Sequence, residues 1–276
     1  MSFVSYAQNF EDVMLWRALK HIDNGFYIDV GAAWPDEDSV TRAFYERGWS
    51  GINIEPNPEL NMQLQEKRPR DKNLCLAMGV SEEILTMNFL ADTGLSTLND
   101  TIAKTHQKSG RKLDRQEVQV STLANLWRRY VPIGQEVHFL KVDVEGLEEA
   151  VLRGNDWSKG RPWIVVVEAT LPMSQIESHE SWEPLLIAAD YHFAYADGLN
   201  RFYVANERIE LLAAFKYPPN TFDDFVVSNT QPLEIKVQEV EAALQTIYAS
   251  RSWRITAPLR LVFPIYRKLK DRLMGR

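Results

Sequence analysis

Short apolar runs alternate along the first two thirds of the chain with segments of helical period. Phe26 to Val30 is such a run, ended by Gly31, as a buried parallel strand would be. Helical spacing through Val40, Phe44 and Tyr45 stops at Gly48, and Gly51 to Glu55 reads as a second strand closed by Pro56 and Pro58. A helix from about 59 to 67 leads to a third strand, 73–78. Before all of these, residues 2–24 read as a loop and a helix carrying Val13, Leu15, Trp16 and Leu19. The alternation β-α-β-α-β predicts an α/β fold with a doubly wound, mostly parallel, seven-stranded sheet.

Further on, 84–90 and 117–120 read as strands, and the polar stretch 93–116 between them has the length of a functional lid. The sheet resumes at 137–143, a helix at 147–152 is stopped by Gly154, and 163–168 is the most apolar strand. A helix over 182–189 precedes two final strands, 191–196 and 201–205. The intervening Asp197-Gly198-Leu199-Asn200 suits a tight hairpin, with an acceptor contact by Asn200 or Arg201 as the weaker reading. A proline-bearing connector spans 206–232, and Ile235, Val237, Val240, Leu244 and Ile247 mark an amphipathic helix over 233–248. The expected division is a catalytic domain over 1–227 and a helical, basic, amphipathic tail over 228–276.

Charge sharpens that division. From Ala249 onward eight basic residues face only Asp271, a net +7 that leaves −14 on the rest of a chain whose total is −7. An acidic body argues against nucleic-acid binding. The single cysteine, Cys75, sits in an apolar run and is expected in the core of a protein from a reducing compartment. No stretch has the roughly 18 apolar residues of a membrane span, and the polar N-terminus lacks an export pattern. The expected location is cytoplasmic.

Chemistry concentrates at strand ends. Gly31 lets the backbone turn tightly and approach a ligand, with Ala32 beside it and Asp29 two residues earlier. By itself this is a plain strand-to-helix turn. Glu55, ending the next strand, can accept two hydrogen bonds from ribose hydroxyls, and the pair points to a nucleoside-containing cofactor. A pyrophosphate would want a G-x-G-x-x-G run. Here Gly31-Ala32-Ala33-Trp34-Pro35-Asp36-Glu37-Asp38 offers one glycine and three acids. Those acids suit the cationic groups of S-adenosylmethionine better than a diphosphate. Asp143 and Glu145, after the fourth strand, and Glu168, ending its neighbour, converge on the same edge. Contact with a substrate hydroxyl, a general base, a divalent-metal site and helix capping all stay open for them. His179, in a polar loop after the strand of Glu168, is a further candidate base, and His106 a weaker one.

In order and spacing, Phe26–Gly31, Glu55-Pro56-Asn57-Pro58, Phe139–Gly146 and Val165–Glu168 resemble the FkbM-type methyltransferases, with Leu140-Lys141-Val142-Asp143-Val144-Glu145-Gly146 the most specific piece. The resemblance covers roughly 5–227. It implies a Rossmann-like, class I fold and S-adenosylmethionine-dependent O-methylation of sugars or related products. It also implies that Met78 lies close to the adenine and Ser96 near the active site, that Gln8 and Asn9 belong to an N-terminal segment folding over the cofactor, and that Ser39 and Pro56 flank it. The family's first motif usually reads Asp-x-Gly-Ala-Asn, whereas this chain has Ala33 in place of the amide.

The resulting expectation is O-methylation of a sugar hydroxyl in a glycan or glycan precursor of bacterial surface-polysaccharide biosynthesis, without a resident metal. The rivals are an NAD-linked sugar oxidoreductase or epimerase and a non-catalytic scaffold of a polysaccharide assembly complex. The tail around Ser252-Trp253-Arg254 resembles C-terminal segments of bacterial surface-polysaccharide enzymes. Its interleaved aromatic and basic residues suit either the inner face of an anionic membrane or self-association through 235–276.

Overall fold

The computed structural model describes residues 2–90, 96–97, 113–172, 174–228, 240, 242–250, 253 and 255–256. Most of the polar stretch 93–116, including Gly94, Leu95 and His106, lies outside them, as does the tail from 257 on. The chain divides into two compact units, Met1–Phe225 and Val226–Arg276. In the second, residues 242–249 are helical.

In the first unit, β1 (Phe3–Ser5) and α1 (Glu11–Leu19) precede the repeating pattern of β2 (Phe26–Val30), α2 (Arg42–Glu46), β3 (Ser50–Ile54), α3 (Pro58–Lys67) and β4 (Lys72–Leu74). Then come β5 (Ala77–Met78), β6 (Glu83–Leu90), β7 (Ser96–Thr97), β8 (Leu113–Ser121) and α4 (Leu123–Tyr130). β9 (Phe139–Val142), α5 (Glu148–Arg153), β10 (Ile164–Glu168), α6 (Glu183–Ala188), β11 (Tyr191–Ala196) and β12 (Asn200–Ala205) complete the sheet, and 3-10 turns follow over Asn206–Phe215.

The main sheet has seven strands in the order β11-β12-β10-β9-β2-β3-β4. It is mixed rather than mostly parallel. The ladders from β10 through β9, β2 and β3 to β4 are parallel, and both ladders of β12 are antiparallel. The reason was already visible in Asp197–Leu199: a turn that short can only return the chain antiparallel, because a parallel return needs a crossover. The expected third strand also divides. Residues 72–74 pair with β3, whereas Ala77 and Met78 pair with β8 in a separate four-stranded sheet, β5-β8-β6-β7. Between them Cys75 is exposed rather than in the core, since the chain there is stepping from one sheet to the other.

Strand residues alternate between two cores. Ile28, Val30, Ile52, Ile54, Leu140, Val142, Val165 and Val167 meet α4, α5 and α6 on one face. On the other, Tyr27, Phe139, Ile164, Val166 and Phe202 meet α1, α2 and the 3-10 turns. Both faces are thus covered, which explains why the central strands read as continuous apolar runs.

One patch of the second face is polar and fully buried. Asp71 accepts from Tyr27 Oη (2.7 Å), the Gly51 amide (2.8 Å) and Asn53 Nδ2 (3.0 Å), and lies 3.7 Å from Arg68 Nη1. Arg68, wholly buried, also donates to the Pro35 carbonyl (2.7 Å) and Ser39 Oγ (2.9 Å). This network fixes both β3 and the loop that follows β2. Removing one member leaves the others desolvated and unpaired, so Asp71→Ala should lower unfolding free energy by about 3–5 kcal/mol. Urea denaturation measures it, and a loss below about 1 kcal/mol would contradict the account.

Candidate active site

The register of the parallel ladders aligns Val30, Ile54 and Val142, so β2, β3 and β9 end together at one edge. A cavity of 360 Å³ opens there, within the roughly 300–1,000 Å³ of small-molecule sites. Of the expected site residues, Gln8, Gly31, Ala32, Glu55, Pro56, Met78, Asp143 and Glu145 line it.

Gly31 is required by two constraints. Its φ is +80°, and a Cβ there would stand 1.8 Å from the Asp143 carbonyl oxygen, so only glycine lets the first turn cross the β9 end. The turn spends its own amides. Gly31 and Ala32 both donate to the Ile54 carbonyl (3.0 and 3.1 Å), and Ala33 donates to Glu55 Oε2 (2.9 Å). Glu55 Oε1 accepts from Asn57 N (2.8 Å). The nearly buried Glu55 carboxyl therefore braces two strand-end turns, and burial pushes its pKa up to about 7. Each oxygen keeps a lone pair for a ligand.

Lys141 is the hub. Its ammonium is almost entirely buried and donates to the Gly31 carbonyl at 2.9 Å, with Asp143 Oδ2 at 3.2 Å and Asp29 Oδ1 at 3.6 Å. Burial lowers its pKa, but the two carboxylates outweigh this and leave it raised. Asp29, a candidate cofactor contact, is not on the cavity wall. As Lys141's register partner it points into the second core, where Thr41 Oγ1 donates to it (3.1 Å). Ser39 is also absent from the wall, its hydroxyl turned to Arg68.

The loop after β9 carries Glu145 and Gly146, with φ of +55° and +96°. Glu148 holds it by accepting from Val144 N (3.2 Å) and Gly146 N (3.0 Å). A glutamate in the left-handed region costs about 1 kcal/mol or more and persists only where its surroundings over-determine it. Burial and the carboxylates of Asp143 and Glu148 bring the Glu145 pKa to about 7.

Glu168 ends β10 behind this wall, buried and facing Asp143. His179 is elsewhere: its ring nitrogens face Glu177 (3.3 Å) and Glu183 (3.9 Å). Ser96 pairs with Phe89 across β7 and β6. Asn200 and Arg201 follow the hairpin reading, Asn200 donating to Glu11 Oε1 (2.7 Å) and Arg201 pairing with Glu183. Among the described residues no cluster of His, Cys, Asp or Glu is arranged to hold a metal ion.

Sequence reasoning missed Lys141 and Glu148 as site residues, and the apolar wall of Leu76, Met87, Val144 and Leu147. A lone cation inside an apolar strand, two residues before an acid, was the available signal for Lys141.

Residues 29–193 match the family model described as the methyltransferase FkbM domain. The match spans more than half of the chain, which belongs to that family. No curated protein matches it.

Two measurements check this geometry. Ala33 sits at φ +48°, so Ala33→Gly should raise stability by about 0.5–1 kcal/mol; an unchanged or lower melting temperature would count against the strained turn. Second, burial raises Glu11, Glu55 and Glu145 to about 7, Asp12 to about 6 and Glu168 to about 9. The folded chain thus keeps protons that the unfolded chain releases near 4.5 for Glu and 3.8 for Asp. Their stabilisation is complete below those values and lost as pH rises through 6 to 9. Buried His138, pushed down, acts oppositely but singly. The melting temperature should fall between pH 5 and pH 9, and a steady rise over that range would refute the assignment.

Proposed function

We propose that this FkbM-family methyltransferase uses S-adenosylmethionine to methylate a sugar hydroxyl of a glycan or glycan precursor. The observation that carries the cofactor reading is the spent turn: the Gly31, Ala32 and Ala33 amides donate within the protein. A pyrophosphate needs such amides free. Among the described residues, the one cation lining the cavity, Lys141, is committed to Gly31, Asp29 and Asp143. The NAD-linked alternative is correspondingly weakened. The strand order, with its single antiparallel strand β12, supports a class I, Rossmann-like arrangement.

The residues present fit the cofactor. Glu55 offers a carboxylate for ribose hydroxyls, Ile54, Leu76, Met78 and Met87 offer apolar surface for a base, and Asp38, Asp143 and Glu145 offer negative charge toward cationic groups. When bound, S-adenosylmethionine supplies a methyl group on a cationic sulfur, itself a good leaving group. What the protein must add is alignment, exclusion of water and a place for the acceptor's proton. Asp143 is suited to take that proton. It lines the cavity, and Lys141 holds one of its oxygens (3.2 Å) while its side chain stays 37% exposed. Glu145, on the same wall, would accept from a neighbouring hydroxyl. A role in surface-polysaccharide biosynthesis at the cytoplasmic face accords with the basic tail, and among the described residues no helix is long and apolar enough to cross a membrane.

Calorimetric titration with S-adenosylhomocysteine tests the cofactor assignment. Glu55→Ala removes an acceptor of charge-assisted hydrogen bonds worth about 1.5–3 kcal/mol each, so affinity should fall roughly tenfold to a hundredfold. A folded parent that binds nothing, or a variant binding equally well, would sink it. Asp143→Asn should bind the same ligand and lose about 100-fold or more in transfer rate.

A further inference from the structure

Glu168 is a buried carboxyl at the edge of the site with no cation paired to it among the described residues. It is 9% exposed, and its Oε2 is buried without a hydrogen-bond partner among the described residues. The parallel ladder pairs Val167 with Val142, which sets Glu168 beside Asp143. On the opposite strand its register partner is Asn200, whose amide is taken by Glu11 (2.7 Å) and Asp197 (3.2 Å). The Lys141 ammonium at the same sheet edge is engaged with Gly31, Asp29 and Asp143. The groups acting electrostatically on Glu168 are Asp143 at the end of β9, Glu145 in the following loop and Glu148 on α5, all acids.

A buried carboxylate with no donor, beside other carboxylates, costs several kcal/mol, and the group keeps its proton instead. Of the three acids, Asp143 is the one whose side chain stands in hydrogen-bonding reach of Glu168.

We propose that Glu168 is a positioning residue that stays neutral and donates its carboxyl proton in a hydrogen bond to Asp143. With Lys141 on one side and Glu168 on the other, the Asp143 carboxylate is fixed with its remaining lone pairs toward the cavity. Glu168 is therefore not itself the base. The acceptor's hydroxyl proton goes to Asp143, while Glu168 keeps its own. Burial and the three acids push its pKa up to about 9, in the direction this role requires. The kinetic part of the role rests on the methyl-transfer reading above; the protonation state does not.

Infrared spectroscopy of the intact protein at pH 8 separates the two. A protonated-carboxyl C=O band is expected in the parent, fading as pH rises through about 9, missing in Glu168→Gln and shifted in Asp143→Asn. Absence of the band in the parent at pH 8 overturns the proposal, whether or not any variant folds. In transfer assays Glu168→Gln, which keeps an N–H donor, should hold kcat within about threefold and lose the alkaline fall of the pH profile. Glu168→Leu should lose about 10- to 100-fold in kcat with little change in KM. Equal loss in both variants would mean that ionised Glu168 is needed, and equal retention that it positions nothing; either overturns the role. A parent that shows the band but transfers no methyl group would instead remove the proposed reaction and leave the neutral Glu168 standing.

Discussion

The architecture of the site depends on one buried ion pair inside the sheet. Asp29 and Lys141 are register partners on β2 and β9, and the same face carries Asn53 and Asn73 in register on β3 and β4. Burying a lysine is tolerable only if opposite charge and hydrogen-bond acceptors surround it. Here the Gly31 carbonyl accepts at 2.9 Å, Asp143 Oδ2 lies at 3.2 Å, and Asp29 Oδ1, at 3.6 Å, adds opposite charge. The three belong to the β2 strand, the turn after it and the end of β9. One ammonium thereby locks the turn after β2 to the residue proposed to receive the acceptor's proton.

Strain collects around that lock. Gly31, Ala33, Glu145 and Gly146 all lie at positive φ, and they form the two loops that flank the cavity. Glycine bears this without cost; Ala33 and Glu145 do not. Each is held by a buried carboxyl that accepts backbone amides: Glu55 takes Ala33 N, and Glu148 takes the amides on both sides of Glu145. Burial is the largest cause of the raised pKa values of Glu55, Glu145, Glu148 and Glu168. The amides from which Glu55 and Glu148 accept offset it only in part, and neighbouring acids add to it at Glu145 and Glu168.

Much of this was legible in one dimension. Strands announced themselves as apolar runs, and an acid or glycine at a run's end marked the ligand edge because parallel strands finish together. Gly31, Glu55, Asp143 and Glu145 were found that way. What could not be read was which face a residue takes once strands are in register. Asp29 looked like a cofactor contact because it precedes the turn, yet the pleat turns it into the second core. Lys141 looked like part of a motif, whereas its partners Asp29 and Gly31 lie on another strand and the turn after it. Cys75 was misjudged for a similar reason: its run is apolar, but the run straddles two sheets and exposes the joint.

The smaller sheet gives the cavity a wall unlike the others. Met78 on β5 and Met87 on β6 both face it and are both buried. Unbranched thioethers fit whatever flat surface meets them, gaining contact without dictating its outline. A wall of this kind grips an aromatic base firmly and inspects it little. For the proposed cofactor, discrimination then falls to Glu55, whose two oxygens are held by the Ala33 and Asn57 amides. Under the proposed cofactor reading, the site is forgiving of the base and exacting about the sugar attached to it.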